Sequence, residues 1–325
     1  MILVIGGAGY IGSHVVKELV QTKDVLVLDN FSTGHRWAVH ENATMIEGDM
    51  GDKDILENIF THYPIEAVMH FAAYSLVGES VQEPGKYYQN NVADTLNLLE
   101  VMVKSNVKKF IFSSTAATYG IPEGAVITEE TPTNPINPYG RSKLMVESIV
   151  KDFSKAYGLE YVILRYFNAA GADESAKIGE AHDPETHLIP LILQHLAGDR
   201  PSISIFGTDY DTPDGTCIRD YIHVTDLARA HILALDALLK GAKKNAIYNL
   251  GNGRGYSVRE VIEACERITG KKANVNVAPP REGDPARLVA SSEKISRELG
   301  WKARYSLDDI VESAWKWNKQ LKATV

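Results

Sequence analysis

Ile2-Leu3-Val4-Ile5-Gly6-Gly7-Ala8-Gly9-Tyr10-Ile11-Gly12 decides the fold of this chain. Its first residues form an apolar run without polar alternation, as required of a strand buried on both faces of a parallel sheet. Glycines at 6, 9 and 12 follow in G-x-x-G-x-x-G spacing, and Ile11, Val15, Val16, Leu19 and Val20 then recur on one face of a helix. Glycine tolerates positive φ and lets backbone N–H groups approach a ligand, while a helix beginning there turns its positive end toward an anion. Strand, glycine turn and helix in this order predict a dinucleotide pyrophosphate site. The same glycines alone also read as a tight strand-to-helix turn.

The following residues favour the dinucleotide. Val25-Leu26-Val27-Leu28 is a second apolar run ending at Asp29-Asn30, and Asp29 stands 17 residues after Gly12, close to the ~20 expected of the acid that holds the adenosine ribose hydroxyls. A carboxylate there repels a 2′-phosphate, and no arginine sits among the glycines or directly after Asp29, so NAD is favoured over NADP. Strands ending at Asp49, opening into Ala72-Ala73, and ending in Ser113-Ser114-Thr115 alternate with helical stretches over 52–62 and 85–105. Repeated βα units predict an α/β fold with a doubly wound parallel sheet of Rossmann type.

Composition agrees with this reading. The chain has 325 residues, with 34 Lys+Arg against 42 Asp+Glu for a net charge of −8. That length suits about two domains, and the acidic balance argues against a nucleic-acid binder, which needs a basic surface. No apolar run approaches the ~20 residues that span a bilayer, and the N-terminus lacks the basic region of a secretory signal. Cys217 and Cys265 are the only cysteines, too few for a disulfide framework or a CxxC site. A cytoplasmic two-domain enzyme is expected, with no membrane or nucleic-acid partner.

Chemistry enters after the Ser/Thr-tipped strand. Met145, Ile149, Phe153 and Tyr157 recur every four residues and Gly158 supplies a stop, which predicts a helix over about 139–157. Tyr139 and Lys143 are i, i+4 neighbours on it and share a face. A phenol of ordinary pKa near 10 is a poor base at neutral pH. A nearby lysine ammonium together with a positive nicotinamide ring is expected to lower it, with Thr115 adding a hydroxyl hydrogen bond to the same substrate oxygen.

These features resemble the extended short-chain dehydrogenase/reductase family of nucleotide-sugar enzymes, and within it the epimerases. The matching segments run nearly the whole length: Gly6 to Gly12, Asp29-Asn30, Gly78 to Val81, Tyr87 to Asn91, Ser113 to Gly120, Tyr139 to Lys143, Arg165 to Asn168, Arg219 to Val224 and Arg281 to Asp284. Dehydratases of the family carry an Asp-Glu pair after the strand threonine, where this chain has Ala116 and Ala117, so dehydration is not expected. The resemblance implies reversible epimerisation at C4 of UDP-galactose and UDP-glucose through a transient 4-keto sugar on bound NAD. Epimerisation of UDP-N-acetylhexosamines, or a non-catalytic NAD-binding role, is the alternative.

It also implies residue roles. Tyr139, Lys143 and Thr115 would be catalytic. Gly6, Gly9, Tyr10, Ile11, Gly12, Asp29 and Asn30 would hold NAD, joined by Asp49, Met50, Phe71, Ala72, Ala73, Asn90, Tyr139, Lys143 and Phe167. Ser75 replaces a lysine that several relatives place near the NAD phosphates. For the UDP-sugar the implied contacts are Thr115, Tyr139, Asn168, His187, Leu188, Phe206 and Tyr221, with Arg219 and Arg281 matching the two phosphates, Asp284 near the ribose and Leu288 limiting the sugar pocket.

The NAD-binding Rossmann domain is expected over 1–170 with returns near 220–251. A smaller, discontinuous mixed α/β domain for the UDP-sugar is expected over 171–325. His182, Asp183 and His187 have the spacing of metal ligands but sit among turn formers without a second ligand set, so no metal is expected. Family members form homodimers through helices, which points to 85–105 and 139–157 as interface candidates.

Overall fold

The computed structural model describes residues 1–124, 126–281 and 283–324, the side chains of 322–324 excepted. Glu282 of the quoted Arg281-to-Asp284 segment lies outside the described residues. Seven parallel strands form the large sheet: β1 (Ile2–Ile5), β2 (Val25–Asp29), β3 (Thr44–Glu47), β4 (Ala67–His70), β5 (Lys109–Thr115) and β6 (Glu160–Tyr166), completed much later in the chain by β10 (Ala246–Leu250). Their order is β10-β6-β5-β4-β1-β2-β3. The direction of winding therefore reverses between β1 and β4, and a ligand crevice opens at that switch point beyond the C-terminal strand ends. Both faces are buried at the inner strands such as β1, β2 and β4, which is why these read as continuous apolar runs rather than alternating ones, while the edge strand β3 is half-exposed. Val4, Val27 and Met69 face one core with Val15, Val16 and Leu235, while Leu3, Leu26 and Val68 face the other with Leu98, Met102 and Val146.

The segment expected as one helix over 85–105 is helical throughout but not uniform. A π-helical stretch, Gln89–Asp94, lies between Pro84–Tyr88 and Thr95–Lys104. The helix bearing Tyr139 runs from Pro138 to Tyr157, capped by the Asn137 side chain on the Gly140 N–H at 2.8 Å and closed by Gly158 in the left-handed region at φ 72°. The stripe that signals this helix only partly coincides with the face it buries: Ile149 and Phe153 pack against the core from its edge. Met145 and Tyr157 are exposed, whereas Ser142, Lys143, Val146, Glu147 and Val150 point into the protein. Hydropathy is offset from the inner face because that face also carries Lys143 and Glu147.

A second body gathers around β9 (Ile218–His223), which pairs with β7 (Asn168–Ala170), β11 (Gly255–Ser257) and β13 (Arg287–Leu288), beside a two-stranded β8 (Ile203–Phe206) and β12 (Val275–Ala278). Its core packs helix Leu188–Ala197 against Val258–Thr269 and Leu307–Thr324. Ser257 and Glu260 form a reciprocal capping box at the start of the middle helix, and Cys265 is buried within it. The chain leaves the large sheet at Phe167 and returns to it through helix Val224–Leu239 and β10, so β9 itself belongs to the second body.

Candidate active site

The glycine turn sits at the switch point. Gly6 has φ +80°, and a Cβ on it would stand 2.5 Å from the Ala72 nitrogen at the end of β4; a Cβ on Gly12 would stand 2.2 Å from the Gly6 carbonyl. Phe71 N–H donates to the Ile5 carbonyl at 2.8 Å, which fastens the two strand ends on either side of the crevice. Gly9 begins helix Tyr10–Leu19 with no side-chain cap, so its first N–H groups remain for an anion. Asp29 closes β2, its carboxylate accepting the Ala8 N–H at 2.9 Å and the Phe31 N–H at 2.8 Å. Burial raises its pKa, and those two bonds oppose the rise. Asn30 donates to Asp49 at 2.7 Å, bringing the ends of β2 and β3 together next to buried Met50. A backbone cradle with no room for side chains, flanked by a carboxylate at the end of the neighbouring strand, fits NAD.

Tyr10 and Ile11 begin the helix, but the Tyr10 side chain turns away from the turn, donating its hydroxyl to the Gly171 carbonyl at 2.6 Å. Only its backbone is left for the cofactor. Ala73 follows Ala72 in the loop after β4, and Asn90 starts a short relay: its amide donates to Asn91 at 2.9 Å, and the Asn91 amide donates to Ser142 at 3.1 Å. Asn91 also exchanges hydrogen bonds with the Tyr74 backbone. The π-helical stretch thereby ties the loop after β4 to the helix carrying Tyr139, a common location for such bulges.

Tyr139 and Lys143 lie above the end of β5. Gly140 lets the helix approach closely, since a Cβ there would meet the Ala117 carbonyl oxygen at 2.5 Å. Lys143 is buried, and its ammonium donates to the Ser113 carbonyl at 2.9 Å. Burial lowers its pKa to about 7, with Glu147 opposing. The Tyr139 phenol is raised by burial, and a hydrogen bond from Thr115 draws it partly back. Burial is the larger of these two influences.

Beneath the pair lies an assembly that sequence reading missed. Glu147, fully buried one turn beyond Lys143, receives Arg165 in two bonds, at 2.9 Å from Nε and 2.5 Å from Nη2, and the Ser114 hydroxyl at 2.6 Å. Arg165 also donates to the Tyr119 hydroxyl at 2.9 Å, which donates in turn to Asn249 at 2.7 Å. The signal available in the sequence was an acid four residues after a lysine on one helix face, which reads equally well as a solvated pair.

The second body contributes a cavity of about 470 Å³, within the range of small-molecule sites. Asn168, His187, Leu188, Phe206, Arg219, Tyr221, Arg281 and Asp284 all line it. Arg219 is ion-paired to Asp284, and the Arg281 guanidinium lies 4.1 Å from the centre of the Phe206 ring. Leu288 stands apart from that wall, packed on a cluster of Ala116, Tyr119, Ile127, Phe167 and Ala290 beside the end of β5. At the rim, burial disfavours charge on His182 and His187, yet Glu180 and Glu185 raise them to about 9 and about 10. Glu185 is in turn held down to about 2.

Residues 2–251 match the model of the NAD dependent epimerase/dehydratase family. A UDP-glucose 4-epimerase of Halalkalibacterium halodurans is 54% identical over 321 residues, which is 98% of this chain and 96% of that protein. Among solved structures, a UDP-glucose 4-epimerase from Brucella ovis in complex with NAD superposes with a TM-score of 0.94 at 49% identity, covering 97% of each chain. One from Bifidobacterium longum in complex with NAD+ and UDP also gives 0.94, at 41% identity, covering 100% of this chain and 99% of that one.

Proposed function

This chain belongs to the NAD dependent epimerase/dehydratase family, and from that premise we infer that it interconverts UDP-galactose and UDP-glucose by inverting C4 through a transient 4-keto sugar. The observation that carries the reading is the hydrogen bond of the Tyr139 phenol with Thr115 at the end of β5, with Lys143 buried one turn further along the same helix and bonded to the Ser113 carbonyl of that strand. When bound, NAD supplies a hydride acceptor that returns what it takes.

In this reading Gly6, Gly9 and Gly12 let the backbone close on the pyrophosphate, and Asp29 takes the ribose. Tyr139 removes the proton of the C4 hydroxyl and gives it back to the oxygen after inversion, while Thr115 orients that oxygen. Lys143 keeps positive charge beneath the phenolate as it forms. Arg219 and Arg281 grip the diphosphate and Phe206 and Tyr221 flank the nucleoside, leaving the sugar loosely held. That division of binding energy suits a reaction in which the sugar must present both faces to one cofactor. Conversion of UDP-galactose to UDP-glucose by the purified chain tests the reading, and its failure with NAD bound would remove it.

We also propose a homodimer. Exposed Val77 and Val81 lie on one helix, and exposed Met145 and Tyr157 on the outer face of helix Pro138–Tyr157. Light scattering on the purified protein checks this. Cytoplasmic residence is supported by two buried, unpaired cysteines. Among the described residues no helix is long and apolar enough to cross a membrane.

A further inference from the structure

Sequence reading set aside His182, Asp183 and His187 because no further ligands accompanied them. Folding supplies those ligands from elsewhere in the same loop. Glu180 and Glu185 place their carboxylates against both histidines: His187 Nδ1 lies 2.8 Å from Glu180 and 2.9 Å from Glu185, and His182 Nδ1 lies 3.2 Å and 3.7 Å from the same two. One donor atom from each of the four side chains falls within 4.8 Å of all the others. Both carboxylates are withdrawn from water, with side-chain exposures of 5% and 6%.

The geometry points to a divalent transition-metal site formed by Glu180, His182, Glu185 and His187, with Zn²⁺ its best-suited occupant. Two imidazole nitrogens and two carboxylate oxygens match the ligands and four-coordinate preference of zinc. Magnesium and calcium require six or more oxygens and near-complete oxygen surroundings, which this set does not offer. Tetrahedral donors about 2.0–2.2 Å from an ion stand about 3.4 Å apart, so binding would open the 2.8 and 2.9 Å pairs and draw in any donors as far apart as 4.8 Å.

The Glu185 carboxylate and the main chain of the loop are held from behind. Thr186 and His187 N–H groups donate to Glu185 at 2.7 and 2.8 Å, Trp317 donates to the Glu180 carbonyl at 2.7 Å, and the Tyr10 ring meets His182 edge-on at 6.1 Å. An ion there would replace the protons shared between the imidazoles and the carboxylates. It would also clamp the loop that joins the glycine-turn helix, through Tyr10, to helix Leu188–Ala197 in the cavity wall.

Full-length protein stripped with a chelator and dialysed separately against Zn²⁺, Mn²⁺ and Mg²⁺ tests this by elemental analysis. One equivalent of zinc and no retained magnesium are expected. His182→Gln and Glu185→Gln should each lose that equivalent, and His62→Ala, which alters an exposed histidine on another helix, should keep it. A Co²⁺-loaded sample of the parent gives a reading independent of any variant's folding, with strong visible d–d bands expected for a tetrahedral site. Sub-stoichiometric zinc in the parent, retention by both variants, or the pale spectrum of octahedral cobalt overturns the assignment.

Discussion

Replacing Glu147 by Gln preserves side-chain length and removes one charge from beneath the proposed catalytic pair. Arg165 is 3% exposed and is left without its counter-ion. Removing one member of a buried ion pair costs about 3–5 kcal/mol. The amide retains one oxygen for the Ser114 hydroxyl, so the lower end, about 3 kcal/mol, is expected, equivalent to roughly a hundredfold fall in the folding constant. A second consequence concerns Lys143. Glu147 is the influence that opposes burial of the ammonium, so in the variant its pKa falls below about 7 and the pH at which kcat declines as Lys143 loses its proton moves downward.

Urea unfolding of parent and variant measures the first effect, and the pH profile of UDP-galactose turnover the second. Glu147→Leu with Arg165→Met should recover part of the stability, since an apolar pair leaves no stranded charge, without restoring the pH profile. A Glu147→Gln variant within about 1 kcal/mol of the parent, with an unmoved profile, would refute the reasoning.

Other expectations are briefer. Lys143→Met removes an ammonium whose folded pKa, about 7, lies below its ordinary 10.5. The unfolded chain then binds more protons than the folded one between those pH values, so the penalty is full below pH 7 and fades as pH rises toward 10.5. Lys143→Met should therefore gain stability relative to the parent below pH 7, with the advantage shrinking as pH rises from 7 toward 10.5, while turnover is lost; denaturant melts across pH and UDP-galactose turnover assays read the two effects. Gly12→Ala drives a methyl into the Gly6 carbonyl, and NAD released on denaturing the desalted variant should fall well below one equivalent. Arg281→Ala, assayed by steady-state kinetics, should raise KM for UDP-galactose about 10- to 100-fold with little change in kcat, given about 1.5–3 kcal/mol for a charge-assisted bond. Leu288→Gly should shift kcat/KM toward UDP-N-acetylgalactosamine and Leu288→Tyr against it.

The large sheet was legible because each element declares itself locally. Doubly buried strands are apolar throughout, and Gly6 and Gly12 are required by close backbone approach. Tyr139 and Lys143 were legible for the same reason, being neighbours on one helix. Contacts that depend on folding were not. Arg165 reaches Glu147 across 18 residues, Asn91 reaches Ser142 across 51, and Arg219 finds Asp284 across 65. Nothing in local periodicity marks such partners. The centre of the buried face of helix Pro138–Tyr157 was hidden because Lys143 and Glu147 lie on it, satisfied by β5 and β6, so the hydrophobic stripe marked only its edge. The Glu180 and Glu185 ligand pair stayed hidden because a loop has no repeat from which to infer convergence.

Turnover by Tyr139→Phe tests the central claim most directly. The substitution removes one oxygen and leaves the glycine turn, Asp29 and the arginines in place. NAD should remain bound at the parental level while kcat for UDP-galactose falls by at least a factor of about 10²–10⁴, the contribution of a positioned proton-transfer group. Full NAD occupancy with kcat within about tenfold of the parent would contradict the account, because the proton at C4 would then be moved by some other group.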